Sequence, residues 1–133
     1  MTLRNFADWL ESKMDCGEGI SAGTVNGTAA QYIGVYGGKS PAKRVVAIGG
    51  SDNSSYQYKS FSVLIHWGKN CTAAERKAQQ TYDLIAGLQD AIIGSNTAKF
   101  AEMLYSEPKA AGRDERGVYE YVVDFSICYE RVN

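Results

Sequence analysis

The chain of 133 residues has little of what usually declares a function: one histidine, two prolines and three cysteines. Cys16, Cys71 and Cys128 are an odd, widely separated set with no C-x-x-C pair and no histidine at ligand spacing. Neither a zinc site nor a disulfide framework is indicated. No stretch approaches the ~20 consecutive apolar residues of a membrane span. The N-terminus, MTLRNFADWLESKMD, alternates charged with apolar residues where a signal peptide would have a continuous apolar core. Synthesis in a reducing cytoplasm is expected, so Asn26-Gly27-Thr28, Asn53-Ser54-Ser55 and Asn70-Cys71-Thr72 read as turn or cap residues and not as glycosylation sites. An excess of either charge is missing too. Fourteen basic against fifteen acidic residues give a net charge of -1, which argues against a strongly basic nucleic-acid binder and against a self-repelling acidic chain.

An apolar fraction of 44% is present, and the length suits a single domain over residues 1–133 whose core needs no disulfide or metal. Nine tyrosines dominate the aromatics, and a ring with one polar end suits half-wet surfaces and interfaces.

Thr2 can cap a first helix in which Leu3, Phe6, Trp9, Leu10 and Met14 draw an apolar stripe, ending at Cys16-Gly17. Residues 17–27 (GEGISAGTVNG) read as a loop or irregular edge segment. Strands are expected over Thr28 to Tyr36 and over Arg44 to Ile48, a short β-branched run between Pro41 and Gly49-Gly50. From Tyr56 to Trp67 the chain alternates, with Phe61, Val63, Ile65 and Trp67 on one face and Ser60, Ser62, Leu64 and His66 on the other. Thr72-Ala73-Ala74-Glu75 fits a capping box. It would open a long helix carrying Ala74, Ala78, Thr81, Ile85, Leu88 and Ile92 on one stripe and ending at Gly94-Ser95-Asn96. Ala98 to Glu107 reads as a strand, although Phe100 and Leu104 show a period that a short helix could share, and the polar turn Gly112 to Gly117 should connect a hairpin. Val118 to Arg131 alternates most clearly, with Tyr119, Tyr121, Val123, Phe125, Ile127 and Tyr129 on the core side. The expected fold is α+β, a mostly antiparallel sheet in the order α-β-β-β-α-β-β with helices packed on one face.

The chemical motifs fail in context. Gly38-Lys39-Ser40 resembles the end of a phosphate-binding loop, yet Ile33 stands where the loop needs glycine, and Pro41 leads into a strand. Gly17-Glu18-Gly19-Ile20-Ser21-Ala22 fits a loose dinucleotide pattern but follows a helix. His66 could in principle form a thiol dyad with Cys71 or Cys128, the basis of an alternative reading as a small cytoplasmic thiol enzyme, but packing and turn roles explain all three. Glu75 is explained by capping, and Glu120, Asp124 and Glu130 by a solvated strand face. No catalytic set and no cofactor is therefore expected. Charge gathers at two connections, Lys39, Lys43 and Arg44 in one and Lys109, Arg113 and Arg116 in the other, as solubilising loops, as contacts with acidic neighbours in an assembly, or beside a nucleic-acid backbone.

Four stretches in this order resemble the minor capsid and tail-terminator proteins of long-tailed bacteriophages. They are Pro41 leading into Val45-Val46-Ala47-Ile48-Gly49-Gly50; Phe61-Ser62-Val63-Leu64-Ile65; the helix with Thr72-Ala73-Ala74 and Tyr82-Asp83-Leu84; and Glu107-Pro108 followed by Gly112-Arg113-Asp114-Glu115-Arg116-Gly117-Val118-Tyr119-Glu120-Tyr121. The resemblance implies a non-enzymatic virion protein of the tail or neck, assembled in the host cytoplasm. Its copies would close into a ring of six on the last ring of the tail tube. That ring would stop tube polymerisation, meet the tail tube protein on one side and the head-tail connector on the other, and let genomic DNA pass unread, with no membrane partner. Head-completion and tail-tube components are the neighbouring readings. Lys43, Arg44, Arg113, Asp114 and Arg116 are the contact residues this implies, and exposed strand edges are a ready means of joining subunits.

Overall fold

Two twelve-residue strands, Tyr56–Trp67 and Tyr119–Glu130, form the middle of the sheet, and their alternation is the reason. Phe61, Val63 and Ile65 are fully buried and lie opposite Phe125, Val123 and Tyr121 in an antiparallel register. The computed structural model describes residues 1–38 and 56–130. In chain order the elements are α1 (Leu3–Lys13), β1 (Ile20–Ala22), β2 (Gln31–Gly37), β3 (Tyr56–Trp67), α2 (Cys71–Ala86), β4 (Gln89–Ile93), β5 (Asn96–Met103), β6 (Lys109–Arg113) and β7 (Tyr119–Glu130). The strands run β1-β2-β3-β7-β5-β4, with β6 also paired to β7. Every pairing is antiparallel except β1 with β2. The class is mixed α and β with a mostly antiparallel seven-stranded sheet, as expected, but the expected strand order is replaced. Two more strands follow the second helix than were predicted, and a strand precedes β2. The predicted strand Arg44 to Ile48 lies outside the described residues.

Capping chemistry decides several of the differences. Thr2 caps α1 as predicted: its side chain accepts from Asn5 N–H, and Asn5 Oδ1 accepts from Thr2 N–H. The helix stops at Lys13, short of the expected Cys16-Gly17, as Met14 turns to extended backbone. At α2 the predicted cap is wrong. Asn70 holds the position, its side chain accepting from Ala73 N–H at 3.1 Å, so Thr72 and Glu75 lie inside the helix and form no capping box. Asn is at least as good a cap as Thr, and the earlier residue wins. This helix also ends early, at Ala86 with Gly87 as its C-cap, although the helical spacing runs on to Ile92. The β-branched Ile92-Ile93 pair instead lies in β4, and Gly94 (φ 63°) serves the β4–β5 turn where a helix end was expected.

The core forms one cluster. Phe6 of α1 lies 4.9 Å from the ring of Phe61 and 5.3 Å from Phe125, and Lys77 of α2 rests over Trp67. α1 touches β1 and β2 at one lateral end of the sheet and β4 at the other, so the sheet curls to reach it. Gly94 seals that second contact: a Cβ there would stand 2.7 Å from Asn5 Cγ.

Candidate assembly interface

The predicted hairpin is present, and Asp114 builds its turn. Asp114 N–H donates to the Val118 carbonyl at 2.9 Å, and its Oδ1 accepts from the N–H groups of Arg116 and Val118, each at 2.9 Å. Gly117, at φ 83°, supplies the left-handed step. The Val118 amide first, then the Arg116 amide and the positive charge of neighbouring groups, hold the Asp114 carboxyl below its ordinary value against an opposing desolvation effect. Arg116 reaches across to donate from its guanidinium to the Gly27 carbonyl.

His66 lies under this corner, only 1% exposed. Its Nδ1 is 3.0 Å from Glu120 Oε2, its cross-strand partner, and its Nε2 is 3.0 Å from the Ala29 carbonyl, with Asp114 Oδ2 at 3.7 Å. A carbonyl can only accept, so Nε2 is the donor to Ala29, and Nδ1 faces the Glu120 carboxylate. Four separate stretches meet here: the 26–30 loop, the end of β3, the β6–β7 turn and the start of β7. Further backbone bonds from Gly68 N–H to Ala30 and from Tyr119 N–H to Gly68 join them.

Of the residues singled out for contact, the structure brings Arg113, Asp114 and Arg116 together, while Lys43 and Arg44 lie outside the described residues. The thiol dyad is not assembled. Both ring nitrogens of His66 face oxygen, Cys71 is exposed at the head of α2, and Cys16 and Cys128 are buried. Burial, helped by Glu11, pushes the Cys16 thiol up to about 11, and burial raises Cys128 as well. Among the described residues no group of three or more His, Cys, Asp or Glu could hold a metal ion. No described helix is long and apolar enough to cross a membrane.

Sequence reasoning missed the His66–Glu120 pair and the strand β6. Both His66 and Glu120 fall on the wet side of alternating strands, but β3 and β7 are not joined by a hairpin, so no turn fixes their register in advance. β6 reads Lys-Ala-Ala-Gly-Arg and has no β-branched residue; it is a strand because β7 offers it an edge. All five of its residues are exposed. Lys109 lies 5.4 Å over the Tyr105 ring and Arg113 lies 5.7 Å over Tyr119. Beside β6 is an open cleft of about 620 Å³ lined by Glu75, Gln79, Tyr105, Lys109 and Tyr121 among others.

A comparison with curated proteins finds no match. The family model described as bacteriophage tail terminator protein matches residues 20–131, from the first residue of β1 to just beyond β7. The chain belongs to that family, and its role is that of a structural protein of the phage tail.

Proposed function

We propose that copies of this protein close into a ring of six on the last ring of the tail tube, stop its polymerisation, and present the opposite surface to the head-tail connector in the virion neck. Genomic DNA passes through the hole without sequence readout, and the subunits assemble in the host cytoplasm. The observation that carries this reading is the extent of the family match, which takes in every strand of the described sheet and the whole corner around His66. The corner supports it physically. A turn fixed by Asp114 and braced from below by His66 holds Arg113 and its neighbours in one arrangement, which reduces the ordering cost of meeting a partner. Lys43, Arg44, Arg113, Asp114 and Arg116 are the contact residues of this reading.

Tails assembled with and without the protein test it. Its absence should give tubes of uncontrolled length, and gold-labelled protein should decorate one end of normal tails. Label along the whole tube would instead make it a tube component, and label on heads without tails a head-completion protein. Reversal of charge at Arg113 should impair joining of heads to tails while the isolated protein stays folded. Normal-length tails and full infectivity from that variant would remove Arg113 from the contact set.

A further inference from the structure

The sheet has edges to which no further described strand pairs, among them the outer sides of β1 and β6. On β1, Gly19 accepts from Ile33 N–H and Gly23 donates to the Val35 carbonyl. The parallel ladder therefore engages Gly19, Ser21 and Gly23, and the N–H and C=O groups of Ile20 and Ala22 point away from the sheet. Among the described residues β7 is the only strand partner of β6, so no described strand pairs with the outer side of Lys109–Arg113. The remaining end strand is β4, whose turn at Gly94 lies against Asn5 of α1; α1 packs on β1 as well, so what marks β1 is the outward backbone groups of Ile20 and Ala22 and not the absence of a neighbouring helix.

Strand direction makes these two edges complementary. β1 and β2 are parallel, β3 is antiparallel to β2, β7 to β3 and β6 to β7. β6 thus runs opposite to β1. A second copy set beside the first in the same orientation brings its β1 against β6 as an antiparallel pair, the more stable kind. Charge agrees with direction. Lys109 and Arg113 are exposed on a strand with no acidic residue, and no described carboxylate forms an ion pair with either. Near β1 stand the exposed carboxylates Glu11, Asp15 and Glu18 with the cations Lys13 and Lys77; Glu11 and Asp15 raise the Cys16 thiol and Lys77 lowers it, while Glu18 Oε2 accepts from the Ala30 and Gln31 N–H groups. The register shift between Ala110 and Gly112 and the lysine at the start of the strand hinder indiscriminate pairing at this edge, so a partner strand must match it in both register and charge.

The geometry points to edge-to-edge pairing of β6 with β1 of a second copy of this chain, head to tail, which rests on the ring reading above and names the surface that closes it. Pairing centre to centre sets Ala110 opposite Ala22 of the neighbour and brings the Arg113 end of β6 towards the Gly19 end of the neighbour's β1.

The test is a disulfide. Within one subunit β6 and β1 are four inter-strand steps apart, roughly 19 Å, far beyond disulfide reach. In a Cys71→Ser background, the double variant Ala22→Cys, Ala110→Cys is oxidised both in solution and when bound to purified tail tubes, and examined without reductant. A ladder of linked subunits that collapses to a closed ring, absent from either single variant, is the expected result. Rings or capped tubes that form with no such ladder would overturn the edge pairing and leave the terminator reading standing. Protein that neither forms rings nor binds tube ends, while the Cys71→Ser parent does both, would show that the two alanines are needed for assembly as placed. If the parent does neither, both the pairing and the reading it rests on fall.

Discussion

Phe61 and His66 share one strand, and each faces a like-placed partner on β7, yet they hold the molecule together by different means. Phe61 stacks on Phe125 with ring centres 5.5 Å apart and planes 13° from parallel. Buried area and shape fix that pair, and any well-fitting apolar ring could substitute at modest cost. His66 faces Glu120, and what fixes it is a set of polar contacts: two ring nitrogens, one carbonyl and one carboxylate at 3.0 Å. Apolar packing gives the sheet its stability, whereas the polar contacts of His66 tie the 26–30 loop and the start of β7 together beneath the turn that Asp114 builds.

The largest effect should come from emptying the apolar side. Phe61→Ala is expected to cost about 3–5 kcal/mol, read as a lower midpoint in urea with an unchanged slope. Next is His66→Leu, which leaves the Glu120 carboxylate and the Ala29 carbonyl without a donor and should cost about 2–3 kcal/mol. Adding Glu120→Leu should recover part of that loss, and a double-mutant cycle would measure the coupling. If His66→Leu were as costly as Phe61→Ala and the second change recovered nothing, the site would behave as core and the contrast would fail.

A smaller effect is expected at Gly94, where alanine meets both a left-handed backbone and the Asn5 side chain. Gly94→Ala should cost about 1–2 kcal/mol and loosen the first turn of α1, visible as faster amide exchange at Asn5. The least is expected from Asp114, whose contribution is local. Its carboxyl is held below the ordinary 3.8 in the folded chain. The order it gives the turn is therefore complete above that pH and disappears as pH falls through the lowered folded value. Protection of the Val118 amide should follow this course in the wild type and lose its acid dependence in Asp114→Asn.

The same contrast separates what could be read in the sequence from what could not. The alternations at 56–67 and 118–131 told which side chains enter the core, because a period of two needs no knowledge of the partner. Phe61, Val63, Ile65, Val123, Phe125 and Ile127 are all buried as expected. Helix ends were harder. Leu88 and Ile92 continue the spacing of Ala74, Ala78 and Ile85, so periodicity alone could not reveal that Gly87 breaks the run and that Ile92, 67% exposed, belongs to a hairpin. β1 and β6 are short and rich in small residues and exist through their neighbours, which local propensity does not detect. The hairpin turn at Gly112 to Gly117 was legible because its chemistry is local. The partners of His66 were not, since they come from a loop 37 residues earlier and a strand 54 residues later.

β7 bonds to β3 along one side and to both β5 and β6 along the other, yet it is synthesised after all of them. A ribosome-bound chain that has not yet released this strand holds two half-sheets with nothing between them. The sheet can therefore close only once the residues up to Glu130 have been made.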